Sequence, residues 1–434
     1  MNICPDCFEN EGLGRRIAQV RPKVSQGQCD EHPNRKGIPI EELAKIVDPV
    51  FRELFWSTAD DGNIWRQDRG SDLLDTLYDI TGAIDDDINR ALIGALVDQD
   101  DYWPPDGEEP YYDEEALYVL QDDQSGLHLH DWNTFRRSLM FESRFFNPDA
   151  EQALGRIFDG IQQLRDANGK GPVYLIKPEA PEAHFFRARI ANSRDEAQRI
   201  KADLARELGP PPEQLRKAGR LNPSGISAFY GAFDLPTCIA ELRPSVGGAV
   251  ISAKFKLLRP ICVLDTTLFA DRLQAVNLFA AGALKRKRQW TFMQTFMEEI
   301  AQPVFPGEEH LQYLPTQAVA EFLNRRFKLS FAGEKRAIDA VIFRSAQRPE
   351  GRNIVILGDA AIVETGAVKD EAVGPTEHDE FDIWFEQELE VVRADKKPGL
   401  AIEPETVRWT RINSVEFRPK GGVDDDADGY DDLL

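Results

Sequence analysis

Four residues near the N-terminus have the types and spacing of a metal-ligand set. Cys4 and Cys7 form a Cys-x2-Cys pair, and Cys29 and His32 form a Cys-x2-His pair. Thiolates and an imidazole bind zinc tetrahedrally, and each short pair closes a small chelate loop around the ion. We therefore predict a structural zinc held by these four residues. A closed four-ligand site leaves no position for a substrate, so the metal is expected to fold this segment.

Other interpretations of these cysteines have less support. Free surface thiols beside a histidine are the plain alternative, but two pairs at ligand spacing favour a metal. A redox Cys-x-x-Cys is disfavoured because no βαβ pattern surrounds it. Cys238 and Cys262 lie in apolar surroundings and are predicted to be core residues.

Five polar residues of the second half stand at positions that could do chemistry. Arg187 lies in a strand-like run, where alternation puts it on the side of Phe185 and Arg189. Arg220 lies in a turn before a strand that carries Tyr230. Glu241 is the one carboxylate of a short apolar helix, and Ser345 follows another strand. An arginine on an apolar strand is costly unless paired, and its planar guanidinium suits phosphate.

These residues belong to six motifs that keep a characteristic order. The motifs are Phe-Arg-Ala-Arg at 186–189, Gly-Arg-Leu-Asn-Pro at 219–223, Ala-Phe-Tyr-Gly-Ala at 228–232, Ala-Glu-Leu at 240–242, Tyr-Leu-Pro-Thr-Gln-Ala-Val-Ala-Glu at 313–321 and Asp-Ala-Val-Ile-Phe-Arg-Ser at 339–345. In this order they resemble the RES-domain family, named for its Arg, Glu and Ser, over about residues 183–360. The part before them is similar to the cysteine-bearing, HEPN-like region that precedes some bacterial RES domains, although His32 stands where a cysteine is more usual.

The resemblance implies a fold, a substrate and a role for each residue. It implies an ADP-ribosyltransferase-like split antiparallel sheet around a cleft for NAD, which is consumed as a substrate. Arg187 and Arg220 would hold the pyrophosphate, and Tyr230 would lie against the nicotinamide or its ribose. Glu241 would accept a ribose hydroxyl and stabilise positive charge at the anomeric carbon, and Ser345 would position that ribose.

The implied reaction is cleavage of the nicotinamide–ribose bond. Such a bond breaks through an oxocarbenium-like state, which a carboxylate stabilises as charge develops. Nicotinamide leaves as a neutral base, so no general acid is needed. The acceptor stays open among water, phosphate and a protein side chain, which correspond to a hydrolase, a phosphorylase and an ADP-ribosyltransferase. A catalytically silent module that binds NAD or ADP-ribose is the further alternative.

The hydrophobic patterning predicts the α+β class, with a mainly helical first half and short strands mixed with helices after it. We predict a zinc-ribbon-like segment at 1–36, a helical HEPN-like region at 37–170 and a linker at 171–182. A RES domain at 183–420 and a disordered acidic tail at 421–434 complete the prediction.

A ribonuclease in the helical half is the main rival function. The HEPN-type chemistry uses an arginine four to six residues before a histidine, and none of the six histidines has one there. His128 and His130 form a His-x-His that we interpret as a surface loop. The basic run 285–288 is interpreted as a solvated helix start or loop. The helical half is therefore predicted to be a sensor, scaffold or binding platform.

Charge and composition set expectations for location and partners. The net charge of −23 disfavours nucleic acid as a partner. No apolar stretch approaches the length of a membrane span, and the first residues lack the pattern of a signal peptide, so we expect a cytoplasmic protein. The family resemblance implies a toxin or defence effector restrained by an antitoxin, an inhibitor protein or homo-oligomerisation.

Overall fold

The computed structural model describes most of the 434-residue chain. The described residues are 1–57, 70–100, 110–113, 115–121, 126–274, 277–280, 282–302, 304, 307–331, 333–364 and 397–415. The predicted acidic tail at 421–434 lies outside them. Among these residues no helix combines the length and the apolar character that crossing a membrane requires.

The chain contains helices throughout and strands mainly in its second half. The helices are α1 Glu11–Val20, α2 Ile40–Leu54, α3 Leu73–Thr81, α4 Asp86–Gln99, α5 Gly126–Arg137, α6 Pro148–Phe158, α7 Arg194–Ala202, α8 Leu204–Leu208, α9 Leu235–Glu241, α10 Ala283–Ala301, α11 Glu309–Gln312 and α12 Leu314–Glu321. The strands are β1 Asn2–Ile3, β2 Gly27–Gln28, β3 Lys36–Pro39, β4 Phe55–Ser57, β5 Tyr118–Leu120, β6 Val173–Ile176, β7 His184–Ala191, β8 Ala228–Ala232, β9 Ala249–Leu257, β10 Ile261–Asp265, β11 Leu329–Phe331, β12 Glu334–Arg336, β13 Ala340–Arg344, β14 Arg352–Leu357 and β15 Leu400–Arg411. This mixture confirms the predicted combination of helices and sheet.

The chain divides into two compact units. Unit 1 consists of residues 1–172 and 268–299, and unit 2 consists of residues 173–267 and 300–434. The change of unit at 172/173 falls inside the stretch predicted as a linker, which holds β6. Residues 268–299, which lie within the stretch predicted as the RES domain (183–420), belong to unit 1.

Unit 1 is mainly helical, with a three-stranded sheet of order β1-β3-β2 and a two-stranded sheet of β4 and β5. The amphipathic helices α2 and α4 bury one face each, with Leu43, Val47 and Phe51 on the first and Ile88 and Leu92 on the second. The metal-ligand candidates share this core rather than forming one of their own, since Cys4, Cys7 and Cys29 belong to the same buried cluster. The predicted segments 1–36 and 37–170 thus pack around one hydrophobic core.

One prediction within unit 1 is wrong. His128 and His130 were interpreted as part of a surface loop, but the backbone there is the beginning of α5, and His130 is exposed on it. The Gly-Leu-His-Leu-His stretch is short and contains only two apolar residues, so it shows no helical period. The helix becomes apparent only further along, where Trp132 and Phe135 are buried.

Unit 2 is built on an eight-stranded sheet of order β15-β9-β7-β8-β14-β13-β10-β6. Neighbouring strands are antiparallel, as in the split antiparallel sheet that the resemblance implied, except β10 and β13, which run parallel. A parallel neighbour needs a long connection, and residues 266–339 provide it. Between described strands, β7 and β8 are paired only at Phe186 and Ala232, whereas β7 pairs with β9 along His184–Ala191. The sheet therefore opens between β7 and β8.

Helix α9 is held beside this opening. It begins after Asp234, whose carboxylate accepts from the Thr237 backbone N–H (2.8 Å) and from the Thr237 hydroxyl (2.7 Å). Thr237 and Cys238 are buried, so the helix presents its N-terminal half to the sheet. This packing fixes the position of the last residue of α9, Glu241.

Candidate functional site

The Glu241 carboxylate is held by two side chains from neighbouring strands of unit 2. Glu241 itself is exposed, and its Oε1 accepts from Ser345 Oγ (2.5 Å) and from Asn353 Nδ2 (2.7 Å). Ser345 and Asn353 are both buried. Among the described residues no hydrogen bond reaches Oε2 of Glu241. One oxygen is thus fixed by the protein, and the other is left for a ligand.

The turn after β13 fixes which hydrogen bonds the Ser345 hydroxyl can make. Its Oγ accepts from the backbone N–H groups of Gln347 and Arg348, each at 3.1 Å. Its own N–H donates to the carbonyl of Gly351 (2.9 Å). The single hydroxyl hydrogen is consequently left for Glu241. This arrangement makes Ser345 a positioning residue for the carboxylate.

Asn353 is a site residue that the sequence analysis missed. It lies on β14 opposite Ala232 of β8 and Phe343 of β13, so these three residues share one face of the sheet. Its amide donates to Glu241 across 112 residues of sequence. The one available signal was the asparagine itself, a polar residue entering the apolar run 354–357.

Arg187 lies on β7 in the orientation predicted from alternation. Phe185, Arg187 and Arg189 pair with Phe255, Ala253 and Ile251, which belong to the buried core of unit 2. The Arg187 guanidinium lies 4.9 Å from the ring centre of Phe229. Its Nη1 is out of contact with solvent and has no hydrogen-bond partner in the described chain. Burial lowers the pKa of Arg187 to about 10, which still leaves it charged at neutral pH.

Tyr230 uses its hydroxyl to organise the turn that contains Arg220. The hydroxyl donates to Asn222 Oδ1 (2.7 Å) and accepts from the Leu221 N–H (3.1 Å). Burial raises the pKa of Tyr230 to about 12, against the opposing charges of Arg187 and Arg220. Both arginines therefore lie within electrostatic range of this phenol.

Arg220 is anchored by backbone carbonyls at the C-terminal end of α10. Its Nη1 donates to the carbonyls of Ile300 (3.0 Å) and Gln302 (2.5 Å), and its guanidinium lies 5.2 Å from the ring centre of Tyr313. These hydrogen bonds use only one of the three guanidinium nitrogens. The guanidinium keeps other N–H groups for a ligand.

The structure brings the five predicted residues of unit 2 into two neighbouring groups. Glu241 and Ser345 are in direct contact, and Tyr230 lies near both arginines. Cys238 of α9 stands between the groups. Burial raises the pKa of its thiol to about 12, while the Arg187 charge opposes and the Glu241 charge adds to this rise. No hydrogen bond between Glu241 and either arginine occurs in the described part of the chain.

The four predicted metal ligands of unit 1 converge on one point. Their donor atoms all lie within 4.8 Å of one another. The Sγ atoms of Cys4 and Cys7 are 3.9 Å apart, those of Cys7 and Cys29 are 3.5 Å apart, and His32 Nδ1 lies 3.5 Å from Cys4 Sγ. A tetrahedral ion with metal–sulfur bonds of about 2.3 Å needs sulfur atoms roughly 3.8 Å apart.

The surroundings of the cluster also suit a cation. Burial raises the pKa values of the Cys4 and Cys7 thiols, and a bound cation would offset that burial by stabilising thiolates. The backbone N–H of Cys4 points to Cys7 Sγ, and that of His32 points to Cys29 Sγ, each at 3.4 Å. The cluster can therefore hold a metal ion.

Comparison with known proteins adds one finding. The family model of the RES domain matches residues 188–384. This match supports the RES family. It includes Arg220, Tyr230, Glu241 and Ser345 and begins one residue after Arg187. Neither the curated proteins nor the solved structures yield a match to the chain. The RES match is consistent with a family of NAD-processing enzymes.

Proposed function

We propose that unit 2 cleaves NAD at the nicotinamide–ribose bond. The observation that carries the proposal is the Glu241 carboxylate, which is held through Oε1 by Ser345 and Asn353, while no described residue hydrogen-bonds to Oε2. A carboxylate fixed in this way is oriented before the reaction, so it loses little free energy to reorganisation when positive charge develops nearby. The RES match supports NAD as the substrate.

The buried arginine supports a polyanionic substrate. Arg187 Nη1 has no partner among the described residues and is shielded from solvent. Leaving a guanidinium in that state costs stability, and a pyrophosphate would satisfy it through charge-assisted hydrogen bonds. Arg220 would contribute a second contact through the guanidinium N–H groups that do not bind the Ile300 and Gln302 carbonyls. Tyr230 would offer its ring to the substrate, because its hydroxyl is already occupied in the turn.

The reaction then breaks the bond between the ribose anomeric carbon and the nicotinamide nitrogen. The electron pair of that bond leaves with nicotinamide, which departs neutral, and Glu241 stabilises the oxocarbenium-like ribose. An acceptor oxygen forms the new bond to the anomeric carbon, and its proton passes to Glu241 or solvent. Water gives ADP-ribose, phosphate gives ADP-ribose 1-phosphate, and a protein side chain gives an ADP-ribosylated protein.

The exposure of Glu241 favours a small acceptor from solvent, so we propose a hydrolase or phosphorylase ahead of a protein ADP-ribosyltransferase. An NMR time course with NAD, with and without phosphate, tests this order. Free nicotinamide with ADP-ribose or with ADP-ribose 1-phosphate is the expected result. Nicotinamide release that requires an added protein acceptor would identify a transferase, and intact NAD would leave a silent binding module.

We propose that the cluster of Cys4, Cys7, Cys29 and His32 holds zinc. Three thiols and one imidazole are the donor set that zinc prefers in closed structural sites. When bound, zinc would supply folding free energy to unit 1 and no chemistry to unit 2. The separate cores of the two units support this division of roles.

A further inference from the structure

Unit 1 contains a cavity that includes neither the residues around Glu241 nor the cysteine cluster. Its volume is about 1100 Å³, slightly above the range of roughly 300–1000 Å³ in which small-molecule sites usually fall. It is lined by parts of α2 and α6, by residues 278–280 and by the first turns of α10, and we call it the helical cavity. All of these elements belong to unit 1.

One part of the helical cavity is apolar. Ile46, Pro49 and Val50 line it from α2, and Leu278 and Phe279 line it from the segment before α10. Val50 and Phe279 are buried in the core of unit 1, so this surface is held in place. Apolar surface of this kind accommodates a flat ring, whose faces need no hydrogen bonds.

The polar part of the helical cavity carries an excess of positive charge. The charged residues that line it are Arg16, Lys45, Arg156, Lys285, Arg288, Glu53, Asp131 and Asp159. Five cations against three carboxylates leave two positive charges, in a protein whose net charge is −23. Four of the five cations are ion-paired: Lys45 with Glu42, Arg156 with Asp131, Lys285 with Asp159 and Arg288 with Glu53. Arg16 has no hydrogen-bond or ion-pair partner within the described ranges.

A proline gives the helical cavity an unusual backbone acceptor. Pro49 lies inside α2 and has no N–H. The carbonyl of Lys45 therefore does not receive the helical hydrogen bond that an N–H at position 49 would donate. Both residues line the cavity. A ligand ring that carries an amino group could donate to this carbonyl while its anionic part reaches the arginines.

From these features we propose that the helical cavity binds a nucleoside phosphate. The flat base would lie on the apolar surface near Phe279 and donate to the Lys45 carbonyl, and the phosphates would reach Arg16 and the first turn of α10. The site is distinct from the Glu241 site and does not depend on the proposed NAD chemistry. It would give Lys285 and Arg288, the two residues of the basic run 285–288 that line the cavity, a place in a ligand site.

The test uses two helix glycines that have open space beside them. Gly155 of α6 lines the helical cavity and Gly94 of α4 does not, and a Cβ added at either meets nothing within 4 Å. Gly155→Leu therefore places a side chain in the cavity, while Gly94→Leu makes the same change elsewhere. We expect calorimetric titration of the full chain with ADP to show binding that Gly155→Leu weakens at least about tenfold and Gly94→Leu leaves within about twofold. Arg16→Gln should weaken ADP binding and reduce its dependence on salt.

Two further measurements decide the location and class of the ligand. Photolabelling with 8-azido-ADP, followed by peptide mapping, should mark peptides that contain residues 45–50 or 278–284. The result should persist in Arg187→Ala, which disables the unit 2 arginine. The proposal is overturned if ADP does not bind at about 1 mM, if Gly155→Leu and Gly94→Leu behave alike, or if labelling is confined to unit 2. Equal binding of inorganic phosphate alone would show an anion site without a nucleoside subsite and would also overturn it.

Discussion

Asn353 Nδ2 lies 2.7 Å from Glu241 Oε1, on the oxygen that also accepts the Ser345 hydroxyl. Both donors approach one oxygen, so the carboxylate is fixed in rotation without losing its second oxygen. Because Ser345 and Asn353 are buried while Glu241 is exposed, the holding groups are shielded and the reacting group is not.

Replacement of the carboxylate tests the proposed chemistry directly. Glu241→Gln keeps the size of the side chain but removes the charge that would stabilise the oxocarbenium-like ribose. We expect NAD cleavage to fall by about 100-fold or more, with an unchanged melting temperature. Glu334→Gln, a change of the same kind on the exposed strand β12, should retain parental turnover. Parental turnover in Glu241→Gln would refute the assignment.

Removal of the Asn353 amide tests whether it positions Glu241. Asn353→Ala should lower kcat about tenfold with little change in KM. Ser345 still donates to the same oxygen of Glu241, but one hydrogen bond orients the carboxylate less firmly than two. Asn353→Asp should do more harm, since two adjacent carboxylates share a proton and move the acidic limb of the pH–rate profile to higher pH. A merely structural asparagine would change stability in both variants without moving that limb.

The buried arginine predicts opposite effects on stability and binding. Arg187→Met replaces a buried guanidinium lacking a partner at Nη1 with an apolar side chain, so the free energy of unfolding should rise by about 1–2 kcal/mol while NAD binding weakens. Arg189→Met is the matched control on the same strand, because Arg189 is exposed and ion-paired with Glu207. Urea unfolding and NAD titration measure the two effects. A destabilised Arg187→Met would mean that the guanidinium supports the fold.

The same residue predicts a pH dependence at the alkaline end. Burial lowers the pKa of Arg187 to about 10, below its value in the unfolded chain, so above pH 10 the unfolded state binds more protons. The Arg187 contribution to the free energy of unfolding should therefore increase as pH rises above 10 towards the pKa of arginine in the unfolded chain, and below pH 10 its full penalty is present. Comparing the parent with Arg187→Met across this range isolates the effect, which should vanish in the variant.

Metal content tests the N-terminal cluster. We expect one zinc per chain, lost in Cys7→Ser, together with a large loss of stability in unit 1. Cys262→Ser alters another buried cysteine, in unit 2, and should keep the zinc. Protein without stoichiometric zinc, or Cys7→Ser that retains it, would contradict the assignment.

Individual strands of unit 2 could be predicted from the sequence more fully than the pairing of those strands in the sheet. The run at Ala249–Leu257 predicts a strand because it is rich in apolar, aromatic and β-branched residues, and β9 has these bounds. The same composition signal did not indicate β15 at Leu400–Arg411, which is rich in charged residues and pairs with β9 at the edge of the sheet.

The candidate site shows the same limit. The family resemblance indicated Glu241 and Ser345, and their hydrogen bond follows from neither residue alone. Asn353 could not have been found, because its approach to Glu241 depends on the register of β14 against β8 and on the packing of α9. The cysteine cluster was easier to foresee, since its ligand spacing is itself local.

Unit 1 is not a continuous piece of polypeptide, and this affects the order in which the protein can fold during synthesis. Phe279 and Leu284 belong to the same buried cluster as residues of the first ninety-six positions. The ribosome must therefore make residues 173–267 before unit 1 receives its last core side chains. Until residue 299 has emerged, the nascent helices expose apolar surface that these side chains later cover, and a chaperone that binds such surface would be expected on the nascent chain.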